Sequence, residues 1–204
     1  MALALNAPQT LLGTVLPKTG TARLLSRLFT VVLGTAVLAI SAKISVPVQP
    51  VPVTLQTMAV AVLAAAFGWR IGLATVALYM LEGLLGLPVF ATGGGPAYLF
   101  GPTGGFIVSW LAVAVIVGWA ADRGASRSFL ALFGVMLAAD TLNFALGFSW
   151  LLAMSSNAAF LDPANVVGSA FSKAVQPFIV WDIVKMAFAA ATVSGGWALL
   201  RRKA

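Results

Sequence analysis

The sequence holds no cysteine and no histidine. The first absence removes disulfides, thiolate nucleophiles and haem attachment, and the second removes the commonest metal ligand and general base. Charge is scarce as well: Asp, Glu, Lys and Arg make up 8% of the 204 residues, and only five are acidic. Soluble domains carry about a quarter of their residues charged. With 61% hydrophobic residues, a chain of this size cannot hide its apolar surface in one core, because surface falls too slowly with size. Lipid is the expected solvent. The net charge of +7 does not point to nucleic acid, since the twelve basic residues mostly stand singly between apolar runs, with no patch interleaved with aromatics.

What is present is a series of apolar runs. Crossing the hydrocarbon core takes about 20 apolar residues, fewer where a helix is short. Six runs qualify, at 24–42, 53–68, 71–87, 104–121, 129–151 and 177–200. The fold class read from them is an all-α integral membrane protein with six spanning helices. They form a single membrane domain over 24–204, behind a cytoplasmic tail at 1–23. The first twenty residues lack a basic region ahead of an apolar stretch and are interrupted by Pro8 and Pro17, so they do not read as a cleaved signal.

The separators carry information. Between the first two runs, Pro47, Pro50 and Pro52 force an extended path. Only Gly68, Trp69 and Arg70 separate the second and third, which predicts a tight hairpin. The third connection, 88–103, has seven glycines and prolines among sixteen residues, and the fifth, 152–176, is the longest. The positive-inside rule orients the chain. With the N-terminus inside, the inner segments hold Lys18, Arg23, Arg27, Arg70, Arg123, Arg127, Arg201, Arg202 and Lys203, nine of twelve basic residues. Lys43 and Lys173 fall outside and Lys185 within a span. Both termini are then cytoplasmic, and the Pro-rich, Gly-rich and long fifth connections face outward.

Ionisable residues within spans are costly in lipid and usually face a cavity or a bundle interior. There are four: Glu82, Asp140, Asp182 and Lys185. Glu82, Asn143, Asp182 and Lys185 fall in the outer half. Asp182 and Lys185, three apart, share one helix face about 7 Å below the outer end of their span. They read equally as a structural ion pair or as ligand contacts, whereas Asp140 with Asn143 reads first as polar glue between helices. The run from Ala91 to Gly105 resembles a phosphate loop but lacks the Gly-Lys-Ser/Thr ending and follows no strand, which excludes nucleotide binding there. Its glycines either let backbone amides approach a ligand or make a flexible outer loop. Gln56 and Thr57 open the second span, where helix entry is the plainer role and Gln56 is also a candidate solute contact. The tryptophans, Trp69 and Trp119 among them, mostly lie near span ends as interface anchors.

Four motifs occur in order: Pro50-Val-Pro-Val-Thr-Leu-Gln-Thr57, Gly86-Leu-Pro-Val-Phe-Ala91, Gly101-Pro-Thr-Gly-Gly105 and Pro177-Phe-Ile-Val-Trp-Asp-Ile-Val-Lys185. Together they resemble the BioY family, the substrate-capture subunits of bacterial biotin uptake systems of the energy-coupling-factor (ECF) type. The resemblance covers nearly the whole chain from Leu24 onward. It implies six helices and a biotin pocket near the outer surface of the bacterial cytoplasmic membrane, with the Pro-rich connection as a lid. It also implies partners: a transmembrane coupling protein and paired ATPases. The family's Pro-Phe-x-x-Gly-Asp-x-x-Lys pattern maps onto Asp182 and Lys185, with Trp181 at the glycine position. Helix-one small residues of such subunits dock the coupling protein as Ala-x-x-x-Ala, which Thr35-x-x-x-Ala39 approximates.

Biotin's ureido ring has two N–H donors and one carbonyl acceptor, suited to Asp182 and Lys185. With no arginine in the outer half, backbone amides at Gly93, Gly94 and Gly95 with Thr92 or Tyr98 are the candidates for its carboxylate, and Glu82 and Asn143 are lesser candidate contacts. No cofactor and no metal is expected. Lacking a Walker motif, the chain cannot hydrolyse ATP, so partners supply the energy or it transports slowly alone. Two other readings compete: an intramembrane enzyme using Asp140, Asp182 and Lys185, and a proton-coupled carrier in which Asp140 or Glu82 titrates.

Overall fold

A computed structural model of the chain describes residues 10–11, 20–154 and 161–203. Among these residues the chain is mainly helical, with one short ribbon and several turns between helices. In order it forms α1 (Gly20–Lys43), strands β1 (Ser45–Val46) and β2 (Val53–Thr54), α2 (Gln56–Phe67), α3 (Trp69–Leu84), the single turn α4 (Pro96–Leu99), α5 (Gly104–Asp122), a 3-10 turn (Ala125–Arg127), α6 (Phe129–Ala153), α7 (Val166–Ala174) and α8 (Ile179–Lys203). Most of the tail assigned to 1–23 lies outside the described residues. Its last four residues belong to α1.

Helix burial follows composition. The α2 sequence, Gln-Thr-Met-Ala-Val-Ala-Val-Leu-Ala-Ala-Ala-Phe, is apolar on every side, and a helix of that kind is stable only when enclosed. It packs against α1, α3, α5 and α8, with Val60, Ala61, Ala64 and Ala65 fully or almost fully buried. α5 is enclosed in the same way, against α2, α3 and α6. By contrast, α1 and α8 turn large apolar side chains outward, among them Leu25, Phe29, Ile40, Val180 and Phe188. In water such faces would be unstable; against lipid they carry no penalty. Four helical stretches are long and apolar enough to cross a membrane: Gly20–Lys43, Gly104–Asp122, Phe129–Ala153 and Val166–Arg201, the last taking in α7 and α8. α2 and α3 have 12 and 16 residues.

The tight hairpin expected between the second and third runs is present, and the far end of α5 holds it in place. Gly68 ends α2 at φ +87°, a conformation that costs other residues. A Cβ there would also strike the Asp122 carboxylate. That carboxylate accepts a hydrogen bond from the Trp69 backbone N–H at 3.3 Å, satisfying one of the orphan donors of α3. α6 starts with the Ser128 hydroxyl accepting from the Ala131 N–H, and α7 with the Asn165 side chain accepting from the Gly168 N–H at 3.0 Å.

The Pro-rich connection is extended, as its prolines require, and folds back on itself so that Ser45 pairs with Thr54 and Val46 with Val53, antiparallel. The Gln49–Pro50 peptide is cis. β2 and the residues before it lean inward: Val51 and Val53 join Phe106, Leu151, Leu161, Ala170, Ala174 and Phe178 in a second small core, distinct from the main core of the bundle. The fifth connection is partly ordered as α7, which packs on α6.

Candidate solute-binding site

A cleft partly open to the surroundings lies under the Pro-rich ribbon. Helices α2, α5 and α8 all reach it with their first turns, through Gln56 and Thr57, Phe106 and Ile107, and Asp182. Three helix N-termini therefore direct partial positive charge toward the same volume. α6 contributes Asn143 and Phe144, the ribbon contributes Val51, Pro52 and Thr54, and the Gly-rich connection contributes Tyr98 and Thr103.

One wall is apolar and aromatic. Phe178 stacks against Phe106 with ring centroids 6.2 Å apart and meets Phe144 edge-on at the same separation. Close helix contact sets this wall. A Cβ on Gly147 of α6 would collide with the Phe106 ring, and one on Gly105 of α5 would collide with Trp150. These glycines let α5 and α6 approach closely enough for both to face the cleft.

The opposite lining is polar. Lys185 donates to Asp182 Oδ1, and both are buried, at 7% and 2% exposure. Burying two charges costs several kcal/mol per ion unless hydrogen bonds complete their shells. Among the described residues the pair has no other side-chain partner, so Asp182 Oδ2 and two of the ammonium hydrogens keep their bonding capacity for something in the cleft. Beside them runs a chain of polar contacts across α5 and α6. Ser109 donates to Asn143 Oδ1, and Asn143 Nδ2 donates to Asp140 Oδ1 at 3.3 Å. Asn143 therefore faces the cleft while bridging helices, and Asp140 stands behind it.

The remaining sequence candidates divide. Gln56 lines the cleft and donates to the Tyr79 hydroxyl at 2.7 Å, which in turn donates to the Val89 carbonyl at 2.8 Å. Tyr98 also lines it, stacked on Phe90 at 4.9 Å. Glu82 does not: its carboxylate accepts from Thr35 of α1 at 2.9 Å. Nor do Thr92, Gly93, Gly94 and Gly95 reach the lining. The Gly95 N–H is taken by the Gly83 carbonyl at 2.7 Å, and Gly93 closes a small antiparallel bridge with Phe90. That bridge is braced by Lys43, which donates to the Phe90 carbonyl at 2.6 Å. The glycines thus serve the turn's own hydrogen bonds, and the hydroxyls nearest the cleft are instead those of Thr54, Thr57, Thr103 and Tyr98.

Trp110 is the residue that sequence reasoning passed over. Trp69 and Trp119 lie at helix ends under Arg70 and Arg123, as interface anchors do. Trp110 instead is 5% exposed and lies on the floor of the cleft. A signal was available: Thr103, Phe106, Ile107 and Trp110 recur at the spacing of one helix face.

Comparison with known proteins places this architecture. The sequence profile of the BioY family matches residues 14–202. The chain belongs to the BioY family. It is 36% identical to a probable biotin transporter BioY of Pyrococcus horikoshii over 162 residues, 78% of this chain and 88% of that one. A biotin transporter BioY of Thermotoga maritima is 34% identical over 157 residues, 76% and 86% of the two chains. In structure the chain resembles a crystal structure at 2.1 Å of the S-component for biotin from an ECF-type ABC transporter. The TM-score is 0.75 at 23% identity, over 90% of this chain and 95% of that one. The chain is a multi-pass membrane protein of a transporter family. Its departure from the BioY-family glycine, Trp181, is 59% exposed and points away from the cleft, so it does not crowd Asp182 or Lys185.

Proposed function

We propose that this chain captures biotin outside the cytoplasmic membrane, holds it in the cleft beneath the ribbon, and releases it inside. The observation that carries the reading is the buried Asp182–Lys185 pair with unspent hydrogen-bonding capacity, set against an aromatic wall in a chain of the BioY family. The chemistry matches biotin part by part. Asp182 accepts from the ureido N–H groups, and Lys185 donates to the ureido carbonyl. Phe106, Phe144 and Phe178 enclose the apolar thioether ring. The carboxylate lies toward the mouth, near the hydroxyls of Thr54, Thr103 and Tyr98 and the positive ends of three helices.

The reading includes six spans with both termini cytoplasmic. α2 and α3 are short for spanning helices, but α2 is enclosed by protein on its flanks, so its length need not match the lipid. The distribution of basic residues puts the cleft in the outer half. A transmembrane coupling protein and paired ATPases supply the energy, and the membrane is the bacterial cytoplasmic one. The test is equilibrium binding of labelled biotin to the purified protein, with Asp182→Asn and Lys185→Ala alongside. Saturable binding to the wild type that falls by an order of magnitude or more in both variants is expected. Wild-type protein that takes up no biotin refutes the function, and variants that bind normally refute the site.

A further inference from the structure

Two polar atoms in the cleft lining stand out because the protein does nothing with them. Trp110 Nε1 and Thr57 Oγ1 are both buried, and neither has a hydrogen-bond partner among the described residues. Buried donors are almost always paired, and leaving one unpaired costs about 1 to 3 kcal/mol. The other buried tryptophan obeys that rule, Trp197 donating to the Ser126 hydroxyl at 3.0 Å, and the half-buried Trp150 donates to the Gly101 carbonyl at 2.9 Å. Thr75 also has an unpaired hydroxyl, but it faces Gly34 in the α1–α3 contact, away from the cleft. Among the described residues, only Thr57 and Trp110 combine an unpaired buried atom with a place in the lining.

We infer that Trp110 and Thr57 are specificity-determining ligand contacts, with the Trp110 indole N–H donating to the acceptor oxygen of the solute's ring and the Thr57 hydroxyl bonding beside it. The inference rests on the proposed biotin reading and deepens it. Indole N–H can only donate, so its partner must be an acceptor. Trp110 lies six residues into α5 and Lys185 six residues into α8, each about 9 Å along a helix that opens onto the cleft. Both donors line the same cleft, beyond the first turn of their helices. A ureido carbonyl oxygen has two lone pairs, one for the Lys185 ammonium and one for the Trp110 indole. Thr57 enters the same lining from α2, which packs against α5.

The test separates a ligand contact from a structural one, because removing a buried hydroxyl or N–H that has no protein partner breaks no hydrogen bond in the free protein. Trp110→Phe and Thr57→Val are made in the full chain, and two quantities are read: thermal unfolding without ligand, and affinity for labelled biotin. Ligand-free Thr57→Val, which keeps its volume, is expected to unfold at or above the wild-type temperature, whereas Trp110→Phe gives up part of a buried ring packed on Tyr79 and unfolds lower in either role. Biotin affinity falls roughly tenfold in each. A third arm uses 2-iminobiotin in its guanidinium form, whose ring has donors where biotin has the carbonyl. It should bind the wild type weakly and lose nothing further in Trp110→Phe. Unchanged biotin affinity in both variants overturns the inference, as does a lowered unfolding temperature in ligand-free Thr57→Val, or an equal further loss with both ligands in Trp110→Phe. Wild-type protein that binds no biotin would instead overturn the function on which it rests.

Discussion

The two meanings of the Asp182–Lys185 pair, a self-neutralising strut or a ligand clamp, separate in a charge-neutral double variant. Both residues are more than nine-tenths buried and bonded to each other. Asp182→Asn alone leaves the ammonium without its carboxylate, and Lys185→Met alone leaves the carboxylate without its cation. Breaking a buried pair from one side costs about 3 to 5 kcal/mol. For a chain of this length that corresponds to roughly 6 to 20 °C in unfolding temperature. Asp182→Asn with Lys185→Met removes both charges while keeping similar volume, and such replacements are often neutral or stabilising. Ligand-free stability of the double variant should therefore return to within about 1 kcal/mol of the wild type. Biotin affinity should not return, because the groups that meet the ureido ring are gone; the expected loss is about 2 to 5 kcal/mol, or about thirtyfold to several thousandfold. The assay is thermal unfolding in detergent beside equilibrium binding of labelled biotin on the same preparations. A double variant that binds biotin like the wild type would show the pair to be a strut. Single variants that unfold with the wild type would show it is not desolvated.

Two further outcomes follow from the same geometry. Val51 and Val53 anchor the ribbon over the cleft at 4% and 7% exposure, and replacing both by Ser removes about 3 kcal/mol of apolar burial. Biotin release, followed by displacement with excess unlabelled ligand, should speed up by one to two orders of magnitude while association changes little; an unchanged release rate would remove the ribbon from the role of lid. Glu82→Gln keeps the acceptor for Thr35 and touches nothing in the cleft, so biotin affinity should stay within about twofold. A tenfold loss would place Glu82 in the site.

Much of the architecture was legible because it depends on local chemistry. Apolar runs must become helices in lipid, since the backbone has no other way to satisfy its polar groups. Accordingly α1, α2, α3, α5, α6 and α8 begin and end within a few residues of the runs that announce them. Prolines at 47, 50 and 52 could only give an extended connection, and a separator of three residues, Gly68, Trp69 and Arg70, could only give a tight hairpin. Asp182 and Lys185 were legible as a pair because a three-residue spacing on a helix is itself a distance. What the spacing did not contain is which elements face one another.

Tertiary structure alone decided the membership of the cleft. Gly93 and Gly95 looked like free amides for a carboxylate, but a donor is available only if no carbonyl claims it. Here Phe90 and the C-terminal end of α3 do so. Trp110 looked like one apolar aromatic among many until the fold buried it in the cleft lining and left its N–H without a partner among the described residues. Glu82, polar and in the right half of its helix, met Thr35 instead of a solute. By itself the sequence determined the solvent, the helices and the charged pair, because hydropathy and helical periodicity act over a few residues. The third dimension decided which hydrogen-bonding groups remain for a ligand, because that is settled by partners supplied from distant parts of the chain.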